Sequence, residues 1–467
     1  LVSHSLIQVE VTLNGSIRLR LLEMFREFAL SKLEARGEID NARRRHAQYF
    51  AALLRRLDET PPGPGEMDRV DVANIESANM RAALSWCLAH DLPIGFILAR
   101  YLNYHWTVNG NYHEGRAWTR QMLEADQRVH TVPPEDRAYL VCVGTMLYNG
   151  TPLATVEEQL ELFRRLEIKE GMAMAEGVMG WMQMRSSPAR SEYHLGTAIS
   201  VLEADGQPQK WLSATLRMFR AVALYTRGDY TTSERLLYEA IQIHTQMQDG
   251  RGLTHAQNHL AWLYYIQGNY DRAIDLTMRA LLLNQQFKDA YSVGRISATK
   301  ALVEIELGLL TEAKASLADG MRVVEESSFV ILQSLLSHVG GALAYQDGNI
   351  IDAHQTYFKS ISISRQTGQL DYILLSLVNL AEIANERIEA NLIVRWLCAV
   401  RANSQRLENY LPLSYQTRLD AVLGSASSQL NLETRAAEQR MGQTMTLDET
   451  IVLAQTMTET MLDKIAD

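Results

Sequence analysis

The residues best suited to hold another molecule fall at helical spacing in the middle of the chain. His255, Asn258, Trp262 and Tyr265 follow one another at three- and four-residue steps, so a helix would bring them to one face. Counterparts in the following segments are Arg295 and Glu306, then His338 and Tyr345; earlier segments add Tyr225, and Arg100 with Tyr104. Glu306 stands one residue beyond the place that Tyr265 holds, which here belongs to the apolar Ile305. Aromatic faces mixed with hydrogen-bonding tips make a surface that can hold a small polar ligand or a peptide. The same spacing also fits core packing, because a shift of one residue would turn Trp262 and Tyr265 inward between neighbouring helices.

Bond-making chemistry has no comparable pattern. A phosphate-cradling loop needs a Gly-Lys pair, and the chain contains none. There is no HExxH motif, no paired CxxC and no Gly-x-Ser-x-Gly elbow. Of the 12 histidines, His113, His255 and His338 fall in separate helical segments. His255 and His259 share a helix face with no acidic third ligand beside them. The expectation is a noncatalytic chain with no metal and no cofactor.

A repeat must position the candidate residues. Gly228, Gly268, Gly308 and Gly348 stand 40 residues apart. Five residues after each comes Ser233, Ala273, Ala313 or Ala353; seven further on, Ala240, Ala280, Gly320 or Ser360; seven before, Ala221, Ala261, Ala301 or Gly341. A fixed period of this size marks stacked supersecondary units, none able to bury its apolar face alone. The glycine stops one helix where positive φ is needed, and the small residues let two helix backbones approach. HEAT-type repeats share a period of about 40, whereas tetratricopeptide repeats run to about 34. Gly228-Asp229-Tyr230 with Ser233 and Ala240, and Gly268-Asn269-Tyr270 with Ala273 and Ala280, nevertheless resemble the tetratricopeptide core, so long-helix repeats of that kind are expected.

The 467 residues exceed one compact core, and 47% hydrophobic with 21% charged residues is ordinary for a folded chain. A formal charge of -10 disfavours broad electrostatic binding to nucleic acid. Cys87, Cys142 and Cys398 are far apart, the usage of a reducing compartment. No run of about 18 apolar residues and no secretory leader is present. The expected location is cytoplasmic, without membrane contact. The triplets at Asn14 and Asn149 are too short to argue glycosylation. The chain begins at Leu1 inside an apolar segment, which suggests a piece of something longer.

In chain order, partial alternation over residues 7–19 around Asn14-Gly15 predicts a β-hairpin. Leu21, Leu22, Phe25, Phe28, Ala29 and Leu33 make a helical stripe closed by Gly37. A second helix is expected over residues 39–57, where Arg43, Arg44 and Arg45 read as a solvated face or a contact for an acidic partner. Thr60, Pro61, Pro62, Gly63, Pro64 and Gly65 form a linker. Two less regular units are expected between Gly110 and Gly228, and one shortened pair after Gly348.

On these residues the chain resembles a known family. Leu1-Val2 with Ser5-Leu6, the hairpin, Arg20-Leu21-Leu22-Glu23, Arg26-Glu27-Phe28-Ala29, Arg44-Arg45-His46 and Tyr49-Phe50 are similar to the end of the winged-helix module in bacterial STAND regulators, ATPases of the NB-ARC type. The stretch from Glu76 through Asn79, Arg81, Ala82, Ala83 and Leu84 to Trp86 resembles that family's entry into its repeats. Gly110 with Glu114, Gly115, Arg116 and Trp118 resembles its next turn, and Gly442 to Glu449 its closing segment. The nucleotide-binding domain is absent from this chain. The resemblance implies a C-terminal sensor half that relays binding to an upstream ATPase module of the same polypeptide.

The expected fold is therefore all-α, a right-handed tetratricopeptide-repeat superhelix of about seven helix pairs behind a short N-terminal β-hairpin. Residues 1–37 would be the partial winged helix, 38–65 a linker helix and loop, 66–408 the repeats and 409–467 capping helices. The expected partner is a small polar ligand, peptide or protein in the groove, with no direct binding of nucleic acid by this chain. A free-standing peptide-binding or scaffold protein is the alternative, and a P-loop module before Leu1 would separate the two.

Overall fold

The computed structural model describes residues 7–11, 17–59, 69–147, 151–184, 186–206, 211–286, 289–325, 329–385 and 387–466. Among them the chain is helical apart from one two-stranded hairpin. It divides into two compact units. The first holds Leu1–Thr151 with Glu161–Leu166 and Met247–Asp249; the second holds Pro152–Leu160, Glu167–Gln246 and Gly250–Asp467.

In the first unit β1 (Ile7–Val11) and β2 (Ile17–Leu21) run antiparallel, with Ile7 opposite Leu21 and Val11 opposite Ile17. The expected Asn14-Gly15 turn lies outside the described residues, as does the Pro/Gly linker at 60–65. Strand pairing extends to Leu21, so the helix expected from residue 20 begins later, as α1 (Glu23–Ala35), and Gly37 closes it at φ 65°. Then come α2 (Ile39–Glu59), α3 (Arg69–Ile75), α4 (Ser77–His90), α5 (Leu92–Val108), α6 (Tyr112–Val129) and α7 (Pro134–Thr145). Helix α2 buries Ala47, Phe50, Ala51 and Leu54 at helical spacing and packs on α4 and α5. Arg81 on α4 forks onto Glu114 on α6 at 2.6 and 2.8 Å, which ties two of the motif stretches together. Trp86 and Trp106 are buried in this core.

Beyond α8 (Leu153–Arg165), helices follow in pairs: α9 (Lys169–Gln183) with α10 (Pro188–Ala204), α11 (Trp211–Thr226) with α12 (Tyr230–Gln246), α13 (Gly250–Ile266) with α14 (Tyr270–Asn284), and α15 (Ala290–Glu306) with α16 (Leu310–Glu325). Next come α17 (Val330–Gln346) with α18 (Ile350–Thr367), then α19 (Leu370–Ala384) and α20 (Ala390–Arg406). The first residues of α13, α15, α17 and α19 are 40 apart, the period of the glycines. Gly228, Gly268, Gly308 and Gly348 have φ between 74° and 81°, a conformation that a Cβ would strain. The recurrent small residues lie where the paired helices touch. Ser233 Oγ donates to the Ala221 carbonyl at 2.9 Å, and a Cβ on Gly341 would come within 2.7 Å of the Tyr357 ring. This is an all-α helical repeat of the tetratricopeptide type.

Within the second unit the first helices of successive pairs touch, α11 on α13, α13 on α15, α15 on α17 and α17 on α19. They form one continuous face. The last helices are α21 (Leu413–Ser428), α22 (Leu432–Thr444) and α23 (Leu447–Ala466). Helix α20 packs chiefly against α22, while α23 lies against α18, α19 and α20.

Candidate functional site

The face of the first helices is not bare, because α21 returns along it. Tyr410 N–H donates to the Thr226 carbonyl at the end of α11 at 2.9 Å. Tyr415 is 1% exposed and its hydroxyl lies 2.9 Å from His338 Nε2 on α17. Arg418, one helical step on, pairs with Glu306 at the end of α15. The segment thus spans several repeats before α22 begins.

Here three of the sequence candidates meet: Tyr265, Glu306 and His338. The Tyr265 hydroxyl donates to the Tyr415 oxygen, and Tyr415 in turn faces His338 Nε2. His338 Nδ1 is 2.9 Å from Ser376 Oγ. A neutral imidazole has one donor and one acceptor nitrogen, so one of the two hydroxyls donates to the ring and the other accepts from it. Burial, reinforced by the charge of Arg418, pushes the His338 pKa down to about 3 and keeps it neutral. Asn379 Nδ2 donates to Tyr357 Oη at 2.9 Å beside it. Tyr270 donates to Glu306, which is thereby shared between a phenol and a guanidinium.

The remaining candidates of this unit, Tyr345 apart, collect around Arg295. Its Nε is shut off from solvent and donates to no described residue. The groups acting most strongly on it, apart from burial, are the phenols of Tyr291, Tyr372 and Tyr225. Those side chains come from α15, α19 and α11. The rings continue outward: Tyr225 Oη lies 3.4 Å from His259 Nδ1, His255 and Tyr291 have centroids 6.0 Å apart, and Trp262 stands edge-on to Tyr372 at 6.4 Å. Asn258, on the same face of α13 and 3% exposed, keeps its Oδ1 without a partner among the described residues.

His255 also belongs to a Ser, His and Asp cluster that invites comparison with a nucleophilic triad. Its Nε2 is 3.2 Å from Asp289 Oδ2 and 3.2 Å from Ser292 Oγ, and Ser292 Oγ donates to Asp289 Oδ2 at 2.8 Å. A triad needs the carboxylate on one ring nitrogen and the hydroxyl on the other. Here both crowd one nitrogen. The physical role is a helix cap: Asp289 precedes α15 and accepts from Ser292 N–H at 3.2 Å. Burial pushes the Asp289 carboxyl up, but His255 and Ser292 outweigh it and hold it below the usual range. The cap fixes the first turn of α15, and so the direction of Tyr291 and Arg295.

Three candidates lie elsewhere. Arg100 and Tyr104 belong to α5 of the first unit, where the Arg100 guanidinium stacks 3.6 Å from the centroid of the Tyr139 ring. Tyr345 is half-buried on α17. Sequence reasoning passed over Tyr291, Tyr372, Tyr415 and Arg418. Tyr291 is four residues before Arg295 and was within reach of the helical spacing. Tyr415 and Arg418 were not, because nothing local announces that α21 docks on helices more than 100 residues earlier.

No group of three or more His, Cys, Asp or Glu among the described residues is arranged to hold a metal ion. Burial pushes the Cys87 and Cys142 thiols up to about 12, far from reactive thiolates. No helix among the described residues is long and apolar enough to cross a membrane.

Comparison with known proteins agrees with the repeat. A tetratricopeptide repeat model matches residues 214–247 and 253–286, the region of α11 to α14. "Putative HTH-type transcriptional regulator Rv0890c" of Mycobacterium tuberculosis is 26% identical over 275 residues, covering 56% of this chain and 30% of that protein. A Mycobacterium bovis counterpart, Mb0914c, gives the same figures. The match thus spans less than a third of the length of these relatives. Among solved structures, the apo form of the quorum sensor NprR from B. thuringiensis superposes with a TM-score of 0.47 at 13% identity, over 76% of this chain and 97% of that one. A Rap protein complexed with Competence and Sporulation Factor gives 0.46 at 13%, over 79% and 98%.

Proposed function

We propose that this chain is the noncatalytic sensing part of a STAND-type transcriptional regulator, which receives a ligand or partner on the face of its first helices and relays that event to an upstream ATPase switch. The observation that carries the reading is the gathering of Tyr225, His255, Trp262, Tyr291, Arg295 and Tyr372 from α11, α13, α15 and α19 around one polar point. A helix pair on its own has no use for such a collection, whereas a site that grips a small polar ligand or peptide does. The entry motifs around Glu76 to Trp86 and the HTH-type regulator among the relatives support the regulatory half of the reading.

A ligand relays a signal only by preferring one of two arrangements of the protein. The repeats would then be docked on the ATPase module in one state and released in the other. The test uses the full-length protein with a transcriptional reporter and an ATP-hydrolysis assay. Tyr225→Phe, which removes the hydroxyl and keeps the buried ring, should cut induction by roughly tenfold or more if the lost contact is worth about 1.4 kcal/mol. The melting temperature should stay within a few degrees. Induction unchanged in the variant, or a coding sequence with no nucleotide-binding module before Leu1, would refute the relay and favour a free-standing peptide-binding protein.

A further inference from the structure

Arg295, half-buried on α15, presents a positive charge on the face of the first helices with no opposite charge among the described residues to meet it. Among the described residues it forms no ion pair, and its Nε donates to nothing. Its surroundings are phenols, and at neutral pH phenols are uncharged; the Tyr291 oxygen accepts a hydrogen bond from it, four residues back on the same helix. A guanidinium cannot escape by losing its proton, since it stays charged throughout the accessible pH range. Partly desolvating such a group without compensation is costly, and the fold tolerates it where side chains of α11, α15 and α19 surround it.

The shape of the uncompensated group narrows what would compensate it. Nε and the neighbouring Nη form the side of the guanidinium that grips a planar carboxylate with two parallel hydrogen bonds. One guanidinium edge is met by one carboxylate group. The phenol rings of Tyr225, Tyr291 and Tyr372 border the same point, and Asn258 offers an unpaired Oδ1 on the adjoining helix for a donor group of the same ligand.

We propose that Arg295 anchors a carboxylate-binding site on the face of the first helices, taking the free carboxylate of a peptide or of a small organic acid. The proposal rests on the sensing role stated above and specifies the chemistry of what is sensed.

The test reads thermal stability of the whole chain against named probes. These are sodium glutarate, a pool of pentapeptides with free C-termini, the same pool amidated, and sodium chloride at matched ionic strength. Glutarate or the free-acid pool should raise the melting temperature, the one that acts identifying the source of the carboxylate, and the amidated pool and chloride should not. Arg295→Met should raise the melting temperature of the protein without probe, because an unpaired charge is removed, and should abolish the response. Arg295→Gln, which keeps hydrogen-bonding capacity, serves where the methionine variant packs poorly, and it should likewise lose at least tenfold in apparent affinity. Equal responses to the free-acid and amidated pools, or a response that survives in both variants, would overturn the carboxylate site while leaving a ligand-binding face intact. No response to glutarate or to the free-acid pool, or a fall in melting temperature of both variants without probe, overturns it as well. Induction of the full-length protein in the reporter assay tells that failure apart from failure of the sensing role.

Discussion

Two arginines on one face of the second unit are treated in opposite ways. Arg418 arrives on α21, meets Glu306 and lies within reach of Glu382, so its charge is answered from two helices. Arg295 on α15 is ringed by phenols and answered by no carboxylate among the described residues. The two differ in the cost of ordering a charge: a paired buried cation fastens elements together, while an unpaired one is a debt that binding can settle. The α21 end of the face therefore reads as internal structure, and the Arg295 end as the place left for another molecule.

The contrast can be broken most forcefully at Tyr415. Tyr415→Ala removes a ring that is 1% exposed together with its hydrogen bond to His338, and should cost about 3–5 kcal/mol in urea unfolding. A loss below about 1 kcal/mol, roughly the noise of such extrapolations, would mean that α21 does not hold this end together.

Acid offers a second probe. The folded protein depresses the His338 pKa from 6.5 to about 3, so between those values the unfolded chain binds a proton that the folded one refuses. The stabilising contribution is whole above the unfolded value and drains away as pH falls toward 3. By pH 5 about 2 kcal/mol should be gone. His338→Gln should lose that share of the slope, measured as the difference between urea midpoints at pH 7 and pH 5. A variant slope equal to that of the parent would move the acid sensitivity to other groups.

Glu306→Gln is the mildest of the three. Arg418 keeps partial contact with solvent and with Glu382, so the loss should be about 1 kcal/mol. A double-mutant cycle with Arg418→Met isolates the pair, and a coupling near zero would remove the difference between the two arginines.

The repeat was legible because its causes are local. Glycines at positive φ, small residues at helix contacts and 3.6-residue periodicity are all written within 40 residues, and the helices begin where that period puts them. The candidate site was legible only in part. Register alone selects His255, Asn258, Trp262 and Arg295 as one face, but it cannot tell an open position from one covered by a distant segment. Tyr265 and His338 share the periodicity of Arg295, yet their partners come from α21, and that docking depends on the tertiary path of the chain after residue 409. The Asp289 cap escaped notice for a smaller reason: it lies just ahead of its helix, where periodicity stops carrying information.

The return of α21 also changes how the second unit should come apart. A row of repeats in which each touches only its neighbours can fray from either end, one pair at a time. The bonds from Tyr410 to Thr226 and from Tyr415 to His338 close long loops across that row, so its end cannot peel away without releasing its middle. Melting in this unit is thereby made closer to all-or-none than the linear order of its helices would suggest.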